Sequence, residues 1–255
     1  MGFLRNCNNA SKRARGRHIL LLNNDTIVFP NWLSALYELM ESDEKAGLVG
    51  SKLIYPNGEI QEAGGVIWND ASALNYGHGD PYNHCGHCSF IREADYISGA
   101  SILIRGSLWR ELGGFDPRYK TAYCEDCDLA MEVRAHGLRV LYQPDSTIIH
   151  FEHQSYADAD ATTQNELQKI NSHILYEKWK DVLERDHMPP ETVSHINICH
   201  ACRSVLPSML ERRRGHMRVL FLSPYPLKMN EERHTKLLMA LKDRGHHIHY
   251  ALLDS

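Results

Sequence analysis

The stretch HILLLNNDTIVFPNWL, residues 18–33, decides how the rest of the chain is read. Ile19, Leu20, Leu21 and Leu22 form a short apolar run with polar flanks, the pattern of a buried strand. The run passes directly into Asn23, Asn24 and Asp25, which therefore stand at the carboxyl end of that strand. In open α/β sheets, ligands bind beyond those ends. An acid there is also a common cap for the following turn, so Asp25 alone leaves capping and ligand binding both open.

Outward from this stretch, strands and helices alternate. NWLSALYELMES places Trp32, Leu33, Leu36, Leu39 and Met40 on one helical stripe. GLVGSKLIY (residues 47–55) is the next strand, closed by the turn PNG. Residues 66–94 read as loop-rich. ADYISGASILIR reads as a strand, followed by a short helix around Leu108 to Leu112 that GGFDP breaks. EDCDLAMEVRAHG carries Glu125, Asp126 and Asp128 in its first turn and Gly137 after its end, the charge polarity and stop signal of a helix. RVLYQP and STIIH read as two strands separated by a proline turn. A long amphipathic helix then sets Leu167, Ile170, Ile174, Trp179 and Leu183 near one face. This alternation predicts an α/β sandwich with a largely parallel sheet. Residues 187–216 read as a linker, from MPPE to the basic run ERRRGH. RVLFLSPYP, EERHTKLLMALKDRG and HHIHYALL then form one βαβ unit, too small to bury a core of its own.

The totals narrow the function classes. The chain has 255 residues, 43% hydrophobic and 24% charged, with a formal net charge of −4. That balance is ordinary for a soluble globular protein and gives no electrostatic footprint for nucleic acid. No apolar run approaches the roughly 18 residues that span a bilayer. The N-terminal MGFLRNCNNASKRARGR has no apolar signal core, and Asn6 stands where a myristoylation signal needs Ser or Thr. These features predict a cytoplasmic protein. Six of the seven cysteines form the pairs Cys85/Cys88, Cys124/Cys127 and Cys199/Cys202, and Cys7 stands alone. An odd count without a secretion signal argues against a disulfide framework. Histidines beside two of the pairs make a structural zinc site conceivable, but the pairs lie too far apart for a compact finger.

A second acidic group adds to the first. Glu125 and Asp126 open a helix, where the dipole favours the ionised form, and an ionised carboxylate can take a proton from a hydroxyl. IIHFEH then ends a strand with His150 and His153, both potential metal ligands. Taken singly, each has a bland explanation: a capping acid, a solvated helix face, a surface histidine. The order strand–NND, SGA, GGFD, EDxDL, strand–H carries the information.

That order resembles the inverting family-2 glycosyltransferases, in their rhamnosyltransferase and O-antigen branch. The motifs are GRHILLLNNDTIVFPNWL, AGLVGSKLIYPNGEIQEAGG, DYISGASILIRGSLWRELGGFDPRY and EDCDLAMEVRAHGLRVLYQPDSTIIHFEHQS, within roughly residues 2–155. The resemblance implies a GT-A-like mixed sheet flanked by helices. It implies transfer of a sugar from a nucleotide-diphosphate donor to a hydroxyl of a glycan or lipid-linked acceptor, in bacterial surface polysaccharide synthesis. The family's DxD motif falls on Asn23, Asn24 and Asp25, so Asp25 would bind Mg²⁺ or Mn²⁺. Asp126 would be the catalytic base, with Glu125 orienting the acceptor. His150 would be a further metal ligand and His153 a weaker one. Ser98, Gly99 and Ala100 would line the sugar pocket. No nucleic-acid partner is implied, and work at the inner face of the membrane is compatible with the acceptor class.

Two departures stand out. The family opens with strands that hold base and ribose, and nothing like them precedes Met1, so the expectation is a catalytic domain lacking its first strands. Cys124 and Cys127 replace aromatic or aliphatic neighbours of the acidic pair, where they are expected to serve as packing thiols. Residues 217–250 resemble the opening of a family-4, GT-B-fold transferase. The expected division is residues 1–186, linker 187–216, and a Rossmann-like piece at 217–255. The competing classes are a catalytically inactive remnant serving as a binding or scaffold module, and a zinc-stabilised interaction protein.

Overall fold

The computed structural model describes residues 3–81, 88–119, 123–151, 161–190, 218–223 and 247–252. The chain divides into two compact units, Met1–Val205 and Leu206–Ser255.

In the first unit the elements run α1 (Phe3–Ser11), β1 (His18–Leu22), β2 (Thr26–Val28), α2 (Trp32–Ser42), β3 (Ala46–Ile54), β4 (Ile60–Glu62), β5 (Gly65–Ile67), β6 (Ala73–Asn75), β7 (Arg92–Glu93), β8 (Ser101–Arg105), α3 (Gly106–Leu112), α4 (Glu125–Ala135), β9 (Arg139–His150) and α5 (Ala161–Asp186). The main sheet has the order β1-β8-β3-β9-β2, with β4 beside β3 and β7 beside β9. β5 and β6 form a separate antiparallel pair.

The sheet is mixed, and the expectation of a largely parallel one fails. Only β3 and β9 run parallel; β1 with β8, β8 with β3, β2 with β9, β4 with β3 and β7 with β9 are antiparallel. Alternation along the chain did not reveal that β8 returns between β1 and β3, antiparallel to both.

Both faces of the central strands are buried, which explains their unbroken apolar runs. All of β3 is buried. Strand alternation sends Leu48, Ile102 and Ile104 into the larger core, with Trp109 of α3, Leu129 and Val133 of α4, and Leu175 and Leu183 of α5. Val49, Leu103 and Leu141 face the other way, against Leu36 and Met40 of α2. Arg105 ties this second layer down: its guanidinium donates to the carbonyls of Met40, Asp43, Glu44 and Ala46 just past the end of α2.

Three sequence expectations need correction. Leu33 is exposed, so the α2 stripe is narrower than the sequence suggests. On α5, Ile170 faces solvent and Leu175 takes the buried place. RVLYQP and STIIH are one strand, β9, not two. A register shift opposite Ser51 and Lys52 absorbs the segment from Pro144 to Ser146. Pro144, which has no N–H to give, sits inside that bulge, and Thr147 Oγ1 donates back to its carbonyl. The hydroxyls of Ser51, Ser101 and Ser146 meet beneath it at 2.7 and 2.8 Å. Helix α1 had no sequence expectation at all.

In the second unit, β10 (Arg218–Ser223) and β11 (His247–Leu252) pair in parallel, register Arg218 to His247. Parallel neighbours require a crossover. The helix expected between them lies outside the described residues.

Candidate active site

The end of β1 and the end of β9 lie side by side. Thr26 of β2 pairs with His150 of β9, and the Phe151 N–H donates to the Asp25 carbonyl at 3.0 Å. This places Asp25 Oδ1 3.4 Å from His150 Nε2. Asn23 Nδ2 donates to His150 Nε2 at 3.3 Å. Two oxygens in this nest, Asn23 Oδ1 and Asp25 Oδ1, are buried without a hydrogen-bond partner among the described residues. Buried polar atoms are normally paired, so two orphaned oxygens beside an imidazole mark a place built for something electropositive. A hard divalent cation fits: it takes oxygen ligands and accepts imidazole. No cluster of three or more His, Cys, Asp and Glu side chains that could hold a metal exists among the described residues. An ion here would draw on Asp25, His150 and the Asn23 amide, with ligand oxygens completing its shell. His153 lies outside the described residues.

The acidic pair sits at the start of α4, behind an unusual junction. Tyr123 and Cys124 both have positive φ, 78° and 67°. Consecutive left-handed, non-glycine residues are uncommon and cost energy. The Asn171 amide of α5 supports the junction by donating to the Tyr123 carbonyl at 3.0 Å. Glu125 is 6% exposed, and its Oε2 has no hydrogen-bond partner among the described residues. Asp126 accepts from two backbone amides, Gly99 at 3.0 Å and Cys127 at 2.8 Å. Burial pushes the Glu125 carboxyl up to about 8, with the Asp126 charge adding to it. Burial also raises Asp126, opposed by its amide donors. Desolvation thus overrides the helix dipole that the sequence suggested would keep both ionised. Burial raises both carboxyls of the pair, and the two amide donors to Asp126 favour its charged form.

One short segment, Ser98-Gly99-Ala100, joins the two groups. The Ala100 carbonyl accepts from the Asn23 N–H at 3.0 Å, and the Gly99 N–H holds Asp126. The Ser98 N–H donates to Glu62 Oε1 at 2.8 Å. Asn23, just past β1, and the Asp126 carboxylate at the start of α4 therefore bond to one connected piece of backbone. A β-carbon at Gly99 would stand 3.4 Å from the Phe3 ring of α1, so that side of Gly99 is covered.

Sequence reasoning missed Gln61 and Glu62 of β4. Both are buried, Gln61 against His150 and Glu62 against Ser98. Their signal was visible: two adjacent polar residues inside NGEIQEAGG, with no turn chemistry to explain them.

The cysteines do not form a site among the described residues. Cys7, Cys124 and Cys127 are free thiols, and burial pushes Cys124 up to about 12 and Cys127 well above its ordinary value. Cys88 is disulfide-bonded, against the expectation of reduced thiols throughout. Cys85, Cys199 and Cys202 lie outside the described residues. A separate open cleft of about 770 Å³ runs between the turn carrying Asn69 to Ala73 and the polar face of α5, with Cys124 on its wall. Asp25, Asp126 and His150 do not line it.

A mixed sheet flanked by helices, with an acid at one strand end and a pair of acids at a helix start, is the GT-A-like class of fold. The crystal structure of GalNAc-T7 with UDP, GalNAc and Mn²⁺ shares it, with a TM-score of 0.51 over 80% of this chain and 45% of that one, at 14% identity. The chain belongs to glycosyltransferase like family 2, whose model matches residues 1–170. The O-antigen biosynthesis protein RfbC of Myxococcus xanthus is 33% identical over 178 residues, 67% of this chain. Rhamnosyltransferase WbbL of Escherichia coli K12 is 37% identical over 59 residues, 23% of this chain. The chain spans only 13% of the first relative's length and 22% of the second's. No helix among the described residues is long and apolar enough to cross a membrane.

Proposed function

We propose that this chain carries the transfer centre of a metal-dependent, inverting glycosyltransferase acting in surface polysaccharide synthesis. The donor is a nucleotide-diphospho-sugar and the acceptor a hydroxyl of a glycan or lipid-linked saccharide. The observation that carries the reading is the Ser98-Gly99-Ala100 segment, which holds the Asn23 N–H on one side and the Asp126 carboxylate on the other. The names of the relatives support the pathway, and the fold supports the donor class.

Asp25, His150 and the Asn23 amide would hold Mg²⁺ or Mn²⁺ at the donor diphosphate, and the bound cation would neutralise the charge of the departing diphosphate. Asp126, ionised and held by two amides, takes the proton from the acceptor hydroxyl. The acceptor oxygen forms its bond to the anomeric carbon as the bond to the diphosphate oxygen breaks, on the opposite face, so configuration inverts. Glu125, protonated by burial, orients the acceptor oxygen by donating to it. Ser98 and the backbone around it border the sugar. In the second unit, the parallel β10–β11 pair supports reading residues 217–255 as a Rossmann-like piece of GT-B kind, joined by a linker over 187–216 to a domain over 1–186.

Titration with Mn²⁺, followed by its electron paramagnetic resonance signal in the presence of UDP or dTDP, tests the centre. Binding is expected in the wild type and its loss in Asp25→Ala. A wild type that leaves the signal unchanged supports the scaffold reading instead.

A further inference from the structure

The functional reading leaves one buried polar side chain unused. Gln61 is 3% exposed and sits on β4, which pairs with β3. His150 Nδ1–H donates to its Oε1 at 2.9 Å. An amide oxygen only accepts, so Nδ1 must carry the hydrogen. At the other ring nitrogen, Asn23 Nδ2 only donates, at 3.3 Å, so Nε2 must accept. The Asn23 amide favours the tautomer that Gln61 sets, whereas the Asp25 carboxylate, 3.4 Å from the same Nε2, opposes it unless a cation lies beside the pair. The opposite tautomer would set two acceptors against each other at Gln61 and two donors at Asn23.

We propose that Gln61 is a positioning residue for the metal centre. It holds the His150 ring with hydrogen on Nδ1, so that the Nε2 lone pair is aimed at Asp25 and the space between them suits a hard divalent cation. The inference rests on the metal-binding reading above. Metal-ligating histidines are commonly oriented in this way through their second nitrogen, and loss of such a partner weakens the metal 10–100-fold. Gln61 cannot swing away easily: its own carbonyl accepts from His78 Nδ1 at 3.2 Å, and its strand is buried throughout.

The test uses the full chain labelled with ¹⁵N-histidine and two substitutions. Gln61→Met keeps the volume and removes the acceptor. Gln61→Glu keeps an acceptor in place. In the metal-free wild type, long-range ¹H–¹⁵N spectra should show His150 protonated at Nδ1. Gln61→Glu should keep that signature and bind Mn²⁺ within a few-fold of the wild type. Gln61→Met should lose the single tautomer and bind Mn²⁺ about 10–100-fold more weakly, with its circular dichroism spectrum unchanged. A wild-type ring protonated at Nε2, or equal Mn²⁺ affinity in Gln61→Met, overturns the proposal. The tautomer readout needs no metal, so a wild type that binds no Mn²⁺ sinks the metal reading while still deciding whether Gln61 sets the ring. If Gln61→Met does not fold, the Gln61→Glu pair of readouts decides alone: a switched tautomer overturns the proposal.

Discussion

Helix α4 begins with three acids that meet two different fates. Glu125 and Asp126 face the candidate centre, where one carboxyl oxygen has no partner and the other residue leans on backbone amides. Asp128, one turn along, is 2% exposed and fully engaged. It takes Lys178 Nζ at 2.8 Å and Trp179 Nε1 at 2.7 Å, both from α5. Lys178 also reaches Glu132 at 2.8 Å and Asp116 at 3.3 Å. The clamp between α4 and α5 leaves its charges satisfied, which is what a scaffold needs. The centre leaves oxygens waiting, which is what a ligand needs. Burial alone does not separate structural from functional acids; partnership does.

Substitutions can break that contrast, beginning with the largest effect. Asp25→Ala should lower transfer about 10⁴-fold, since charge neutralisation at the leaving diphosphate is a matter of several kcal/mol. The melting temperature should hardly move, because Asp25 Oδ1 accepts no hydrogen bond among the described residues and its contact with His150, at 3.4 Å, is an ion pair only when that ring is protonated. A large loss of stability instead would make Asp25 a scaffold residue. Next, Asp126→Asn should lower kcat about 10³-fold while Mn²⁺ binding persists. Equal loss of both would merge the two halves of the centre.

Lys178→Met should do the reverse. It strands the Asp128 carboxylate in the core and should cost about 3 kcal/mol in chemical denaturation. Transfer should fall only as the folded fraction falls.

Glu125→Gln sharpens the comparison through pH. The folded carboxyl titrates near 8 and the unfolded one near its ordinary value, so the folded state holds the extra proton between them. Wild-type stability is then fully present at low pH and declines as pH rises through that window. The melting temperature of Glu125→Gln should match the wild type at pH 5 and exceed it by several degrees at pH 8. The smallest effect belongs to Arg118→Ala. Its pairing with Asp116 is exposed on the arginine side, and equilibrium unfolding should change by less than about 0.5 kcal/mol.

Much of the fold was legible because periodicity reports burial. The run at β3, the stripe on α2 and the acid-first, glycine-last pattern of α4 all translate directly into elements. Gly137, with φ of 73°, stops the chain after α4 as its place in the sequence implies. What failed was non-local. Whether β9 runs on past Pro144 depends on a bulge facing Ser51, and the buried side of α5 depends on which turn meets the core. The sheet's mixed pairing follows from where β8 returns, which no local pattern encodes. The same division holds for the centre. Asp25, Glu125 and Asp126 could be named as chemistry-bearing acids from their neighbours in sequence. That a backbone segment at 98–100 bonds to both Asn23 and Asp126, and that Gln61 stands behind His150, required the third dimension. So did the desolvation that raises both Glu125 and Asp126 against the helix dipole.

β4 is three residues long, yet its two polar side chains point to opposite faces of the sheet: Gln61 touches the imidazole, and Glu62 holds the 98–100 segment whose Gly99 N–H donates to Asp126. A slip of one position along β3 would exchange the two. It would leave an amide in place of the carboxylate that accepts from Ser98. The bulge between Leu53 and Ile54 is the pin against that slip. An insertion or deletion in the nearby PNG turn would therefore disturb the candidate centre without changing any of its residues.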